Sequence, residues 1–422
     1  MKVLMFGWEF PPFISGGLGT ACFGLTRSLA GSGTEITFVL PRVKGRLPDL
    51  HLKVMGANEV DLEGASEQLL GTNVRFLEVN SALKPYLDEK RYREQIERLK
   101  KRGFDTGEVS GLLELSGDYG ENLFSEVTRY ARVARVVSFL EDFDVIHAHD
   151  WMTFLAGVEA KKASHKPLVV HVHATDFDRS GDHVDQRVYD IERYGMENAD
   201  RVIAVSHRTK SMIVDRYGIA PDKVEVVYNG VAKENTMERW ESGKQLGEKI
   251  ILFLGRVTMQ KGPDYFLEAA HLVLQKLKNV RFVMAGSGDM LPRMIERMAQ
   301  LRLLEHFHFT GFLRGAKRDR LFAMCDLYVM PSVSEPFGLT PVEAMQFGVP
   351  IIVSNQSGVA EILNHVIKVD FWDVRKLADA MIEVLTNPAL ARRMVEEGRG
   401  EIDQIDWDRA ADQVTNIYKR LV

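Results

Sequence analysis

Two carboxylates flank a turn in SEPFGLTPVEAM, residues 334–345: Glu335 precedes the Pro/Gly stretch, and Glu343 follows it inside a helix that the spacing predicts. TPVE puts Thr340 at the N-cap, Pro341 at N1 and Glu343 at N3, a capping-box arrangement that gives Glu343 a structural role. Glu335 has no helix to serve. An acid beside a polyhydroxyl ligand accepts hydrogen bonds from adjacent hydroxyls and stabilises positive charge developing at carbon. Between the two acids, the unpaired amides of Gly338, Leu339 and Thr340 at the helix start favour an anion.

A second loop, LGRVTMQKG at 254–262, carries Arg256 and Lys261 after an apolar run. Two cations at the carboxyl end of a strand neutralise a departing diphosphate, although a solvated basic loop has the same composition. A third, SGGLG at 15–19, brings Gly16 and Gly17 to the start of a helix expected from about Thr20, where backbone amides approach a phosphate closely. Its spacing matches neither the dinucleotide fingerprint nor a Walker loop, so a simple turn also fits.

His147 and His149, like His171 and His173, are spaced by two near strand ends, so each pair shares a face and has the spacing of metal ligands. A metal-dependent hydrolase completed by Asp150 or Asp176 is one reading. It leaves Arg256, Lys261 and Glu335 without work. For His147 and His171 the plainer expectation is a buried histidine bonded to backbone. Two lobes around a cleft also suit a non-catalytic sugar or nucleotide binder.

These residues need a frame. Apolar runs such as KVLMFGW, EITFVLP, VRFLEV, DVIHAH, LVVHVHA, RVIAVS, KIILFLGR, VRFVMAG, HFHFTGF, DLYVMPS and PIIVSN alternate with helical segments. That alternation predicts an α/β protein of two doubly wound, Rossmann-like parallel sheets, with ligands at the carboxyl ends of the strands in a central cleft. The polar stretch VAKENTMERWESGKQLGEK (231–249) reads as the linker, giving domains at 1–232 and 233–402. In the tail, 403–422, apolar residues at helical spacing predict a helix that crosses back to the first domain. YLDEKRYREQIERLKKRG (86–103) reads as an amphipathic helix, with Tyr92, Ile96 and Leu99 on one face.

The 422 residues carry 54 bases against 59 acids, dispersed along the chain, so no basic field points to nucleic acid. No apolar run approaches the ~20 residues of a membrane span. Two distant cysteines, Cys22 and Cys325, make no disulfide framework, which fits a reducing, cytoplasmic setting.

Taken in order, SGGLG, HAHDW, HVHATD, ADRVIAVS, YNGV, GRVTMQKG and EPFGLTPVEAM resemble the retaining, nucleotide-sugar-dependent glycosyltransferases of the GT-B fold, the group of glycogen, starch, sucrose and sucrose-phosphate synthases. The resemblance spans nearly the whole chain. It implies an N-terminal acceptor domain, a C-terminal nucleotide domain, and transfer of a hexosyl unit, a glucosyl above others, to a glucan or a small sugar or sugar-phosphate acceptor. It implies no metal and no cofactor; the donor, ADP-glucose or UDP-glucose, is a substrate. By this likeness Gly16 and Gly17 face the donor phosphates, His173 lies beside the donor sugar, Arg256 and Lys261 hold the diphosphate, Glu335 meets the sugar and Glu343 the ribose. Asp150 lines the sugar cleft, and the base is read near Phe312 in FTGFL. Met152 stands where glycogen and starch synthases carry a histidine, and Glu343 fits the sucrose-synthase branch better.

Overall fold

The computed structural model describes residues 1–11, 16–42, 51–57, 123–232 and 247–422; the helix expected at 86–103 and the strand read from VRFLEV lie outside the described residues. Thirteen described strands form two sheets, and every pairing is parallel. The first has the order β3-β2-β1-β4-β5-β6-β7, from β1 (Lys2–Phe6), β2 (Glu35–Leu40), β3 (Lys53–Gly56), β4 (Val145–His149), β5 (Leu168–Val172), β6 (Arg201–Ala204) and β7 (Val224–Val226). The second has the order β10-β9-β8-β11-β12-β13, from β8 (Lys249–Leu254), β9 (Val280–Ala285), β10 (Phe307–Gly311), β11 (Leu327–Met330), β12 (Ile351–Ser354) and β13 (Ile367–Val369).

Strand order decides where ligands can enter. The direction of strand order reverses in the first sheet between β1 and β4, and in the second between β8 and β11, while all strands stay parallel. At such switch points the loops leaving neighbouring strands diverge and open a crevice at the carboxyl edge. The loops concerned are those after β1, β4, β8 and β11, which carry Gly16, Asp150, Arg256 with Lys261, and Glu335.

Both faces of each sheet are covered, so central strands are buried on both sides. In the first sheet Val3, Met5, Val145 and Val169 point to one face, and Leu4, Phe6, Ile146 and Val170 to the other. The first of these faces is sealed by the helices Gly17–Gly31 and Trp407–Lys419. The second helix begins where the Asp406 side chain accepts from Arg409 N at 2.8 Å, and it buries Trp407, Ala410, Ala411, Val414, Ile417 and Tyr418 along one stripe. The tail thus crosses back from the second sheet. Its approach requires Gly24, because a Cβ there would lie 2.2 Å from the Trp407 ring.

Three local expectations change. The first helix starts at Gly17 rather than Thr20, with Gly16 at its N-cap. The edge strands β3, KVMG, and β13, IKV, were not legible, being too short to show alternation. The helix after the acid turn runs Leu339–Gln346 with Gly338 as N-cap, so no capping box forms at Thr340 and Glu343 lies a full turn inside.

Candidate active site

On the C-terminal side, β8 ends at Leu254, and the chain passes Gly255 and Arg256 into a short 3-10 turn, Met259–Lys261. Lys261 Nζ donates to Glu335 Oε2, and Ser332 Oγ approaches the same oxygen at 3.4 Å. Arg256 is exposed and donates to Gln260 Oε1 at 3.3 Å. The Gln260 carbonyl in turn accepts from Val333 N at 2.9 Å, so one residue ties the basic loop to the acid loop. Glu335 is itself buried, and its backbone is fixed on both sides: its N–H donates to Gln356 O and its carbonyl accepts from Gly358 N, both at 2.9 Å.

After Glu335 the chain turns at Gly338, where φ is 105°. Only glycine adopts that conformation readily, and a Cβ there would also press on Met330, Val359 and Glu335 at 3.1 to 3.3 Å. The turn aims the first amides of the Leu339–Gln346 helix, those of Leu339 and Thr340, back toward the loop, where their dipoles favour an anion. Glu343 pairs with Arg318 at 3.1 Å, which replaces the capping role expected for it. Phe312, just beyond β10, is exposed, with the Arg314 guanidinium 4.9 Å from its ring centroid.

The N-terminal side is built differently. Asp150, the residue after β4, has φ 59°, a left-handed backbone that costs a non-glycine residue strain. Its buried carboxylate holds the next loop: Oδ1 accepts from His173 N at 2.7 Å and from Ala174 N at 3.3 Å. The His173 Nε2 atom meets His149 Nδ1 at 3.1 Å. Behind them His147 and His171 continue the row, His147 against Tyr418 and the rings of each i, i+2 pair stacked 4.2 Å apart. Burial holds all four imidazoles below their ordinary pKa, His147 at about 3, so they are neutral at pH 7. The expected backbone bonds to the His147 and His171 rings do not form among the described residues. Gly16 caps the first helix and Gly17 opens it, with Gly16 N donating to Glu9 Oε2 at 3.2 Å. No described atom would meet a Cβ on either glycine within 4 Å.

The two sides touch beside the acid loop. Ser334 Oγ donates to Asp178 Oδ1 at 2.6 Å and accepts from Arg208 Nη2 at 3.1 Å. Ser206 Oγ donates to Pro336 O at 2.6 Å. The Glu361 carboxylate accepts the amides of His207 and Arg208, at 2.9 and 2.7 Å, capping the helix His207–Tyr217 from the opposite half. Asp178 also accepts from Thr175 N and Oγ1, which places the loop after His173 against the loop of Glu335. Sequence reasoning missed Asp178, Arg208, Gln260 and Ser334. Only Gln260, next to Lys261, carried any local signal; the Ser334–Asp178 partners are 156 residues apart.

Two parallel α/β sheets with crevices at their carboxyl edges thus meet beside an acid turn and a basic loop. Residues 234–401 match the family described as "Glycosyl transferases group 1" and residues 115–235 match "Glycosyltransferase Family 4". An uncharacterised glycosyltransferase of Methanocaldococcus jannaschii is 29% identical over 437 residues, covering 99% of this chain and 98% of that one. A glycogen synthase of Mycobacterium tuberculosis is 25% identical over 429 residues, covering 99% and 94%. Among solved structures, sucrose-phosphate synthase from Thermosynechococcus elongatus superposes with a TM-score of 0.72 at 17% identity, over 100% and 98% of the two chains. Anabaena HepE in complex with UDP-glucose does so with 0.64 at 17% identity, over all of both chains. The two matched families together span residues 115–401, and the chain is a glycosyltransferase of the GT-B fold, similar to the glycogen- and starch-synthase-like group. It is a hexosyltransferase, which sets aside both the hydrolase and the non-catalytic binder.

Proposed function

We propose that the protein transfers a glucosyl unit, with retention of configuration, from a nucleotide-diphosphate glucose to a glucan or a small sugar or sugar-phosphate acceptor. The observation that carries this reading is the Lys261–Glu335 ion pair beneath the Gly338 turn, held against the His173 loop by Ser334 and Asp178. A diphosphate entering the crevice competes for the Lys261 ammonium and meets the free amides of the helix start, leaving the Glu335 carboxylate to face the sugar. Arg256, exposed at the rim, adds the second cation. His173, neutral and fixed through Asp150, lies beside the sugar ring as a hydrogen-bonding group. Gly16 and Gly17 close over the phosphates, Glu343 and Phe312 meet the ribose and base, and residues 1–232 with the returning tail hold the acceptor.

Charge grows on the leaving phosphate as the glycosidic bond breaks, and fixed cations and dipoles lower that barrier. Inversion would need a general base on the face opposite the departing diphosphate, and the sequence supplies no obvious dedicated one. Two routes then retain configuration. In one, the departing phosphate oxygen takes the acceptor hydroxyl proton on the same face while Glu335 stabilises an oxocarbenium-like carbon. In the other, Glu335 attacks as a nucleophile and the acceptor displaces it. The chemistry as proposed draws on no metal and no cofactor. The donor base is adenine or uracil; HepE, of the same fold, is solved with UDP-glucose. No helix of the described residues is long and apolar enough to cross a membrane. The two cysteines, both buried and in no disulfide, agree with a cytoplasmic setting.

The test is nucleotide release from ADP-, UDP- and GDP-sugars, with and without glucan, fructose and sugar phosphates. Acceptor-dependent release from ADP-glucose or UDP-glucose is expected. Preference for a GDP-sugar, or turnover of a non-glucosyl donor alone, contradicts the proposal.

A further inference from the structure

Glu335 is seated from the opposite half of the molecule. Ser334, the residue before it, is buried, and its hydroxyl stands between groups of opposite charge from the first half. It donates to Asp178 Oδ1 at 2.6 Å and accepts from Arg208 Nη2 at 3.1 Å. Pro336, the residue after, accepts from Ser206 Oγ through its carbonyl at 2.6 Å. Glu335 is therefore flanked along the chain by bonds to the first half. Asp178, Ser334 and Ser206 are all buried, and away from water a hydrogen bond is stronger and its loss is felt in full.

Asp178 is fixed as firmly as its partner. It lies on the short helix Asp176–Ser180, where its Oδ2 accepts from Thr175 N and Oγ1 at 2.8 and 2.9 Å while Oδ1 serves Ser334. Arg179, on the same turn, reaches back to Ala174 O at 2.9 Å, and Asp150 holds the amides of His173 and Ala174. The Asp176 amide donates to the buried Glu192 at 3.2 Å, which ties the helix to the core of the first half. The helix also packs against the 3-10 turn Met259–Lys261. From His173 to Glu335 there thus runs a series of short segments, each held by its own bonds. Beyond the seam, Val333 N and Ser334 N meet Gln260 O at 2.9 and 3.4 Å, and Gln260 precedes Lys261. A shift of Ser334 is a shift of Glu335 and of the basic loop together.

We infer that Asp178 is a positioning residue for the transfer: through Ser334 it sets the Glu335 carboxylate in register with His173 across the crevice. The inference rests on the reading of Glu335 as the acid beside the sugar. Asp178 acts only through Ser334, and an ionised acceptor makes that O–H bond one of the stronger kinds available to a side chain. A misplacement of about 1 Å in a reacting group can cost ~10²-fold in rate. The donor's phosphates are held elsewhere, by Arg256, Lys261 and the helix start, so the loss of Asp178 falls on turnover and not on donor binding.

Hydrogen exchange reads the link without turnover. In Asp178→Ala the amides of Val333, Ser334 and Glu335 should exchange about 10-fold faster than in the native chain, with those of β11 unchanged. Kinetics read its consequence: kcat should fall by about 20-fold while donor KM stays within about 2-fold. Asp178→Asn can keep the link with its polarity reversed, Nδ2 donating to Ser334 Oγ while Oδ1 stays on Thr175, and should recover most of the lost turnover. Ser334→Ala removes the same bond from the other side and should reproduce both changes, which keeps the test intact if Asp178→Ala does not fold. The double variant should lose no more than the worse single one, because both remove one interaction. Native exchange rates or native kcat in a folded single variant overturn the positioning role, as do additive losses in the double variant. Native turnover by Glu335→Gln overturns instead the reading of the acid, while the exchange rates still decide whether Asp178 holds the loop.

Discussion

The two sides of the crevice handle polarity in opposite ways. On the C-terminal side the reactive groups are charged and paired: Lys261 on Glu335, Arg318 on Glu343, with Arg256 at the rim. On the N-terminal side they are neutral and packed in a row from His173 to His147, with one carboxylate, Asp150, spent on holding backbone amides. Burial explains the contrast. A group near water keeps its charge at modest cost, whereas an imidazole sealed under two helices sheds its proton. Under the proposed function this is a division of labour: one wall would answer charge that develops in a ligand, and the other would fix shape. Mutations on the first wall should change turnover more than stability, and those on the second should change stability and geometry together.

The largest expected effect sharpens that division. Lys261→Ala should lower kcat by ~10²- to 10³-fold, the usual loss for a fixed group aimed at developing charge, with a Tm close to wild type. Near-native turnover in a folded variant would place Lys261 outside the mechanism. Next comes the buried carboxyl behind the N-terminal wall. Glu192 bonds Tyr217, the Asp176 amide and Arg179, the last at 3.2 Å, and burial raises its pKa from 4.5 to about 7, with Arg179 opposing. Between those values the folded chain keeps a proton that the unfolded chain has lost. Stability is therefore greatest below pH 4.5 for this group, falls as pH rises through 7 and then levels off, a change on the order of 3 kcal/mol. Glu192→Gln should remove that decline, read as a difference in urea unfolding between pH 5 and pH 8; parallel pH profiles for the two proteins contradict it.

A smaller effect is expected where the walls are coupled. Asp150→Ala frees the amides of His173 and Ala174, so kcat should fall by about 10-fold through misplacement of His173 while stability drops by about 1–2 kcal/mol. A loss confined to stability would make Asp150 purely structural. The smallest is Glu343→Gln, which keeps a bond to Arg318 and weakens a carboxylate's hold on a diol. Donor KM should rise about 5-fold with kcat and Tm little changed. An unchanged KM removes Glu343 from the donor site.

Much of the frame was legible because central parallel strands are continuous apolar runs and the two-sheet alternation follows from them. Every strand read from such a run among the described residues is present, while β3 and β13, at the edges, were too short to read. Glu335 and Lys261 were legible as chemistry but not as partners, since 74 residues separate them and only folding pairs them. The acid turn misled in one respect: TPVE has the composition of a capping box, yet the left-handed Gly338 starts the helix two residues earlier and Glu343 pairs with Arg318. The contacts of Asp178, Arg208 and Ser334 between the halves leave no local pattern at all. The histidine pairs announced a shared face, but not that their nitrogens would lie unpaired beneath the returning tail.

The central claim is that the crevice transfers sugar with retention, using Glu335 and His173 beside the ring and Arg256 and Lys261 at the leaving group. Proton NMR of the first product formed from an α-linked nucleotide glucose tests it most directly, because it reads the new anomeric centre before any rearrangement. An α-anomeric signal is predicted, with Glu335→Gln and His173→Ala folded but severely impaired. A β-anomeric signal would contradict retention and the roles assigned to both residues.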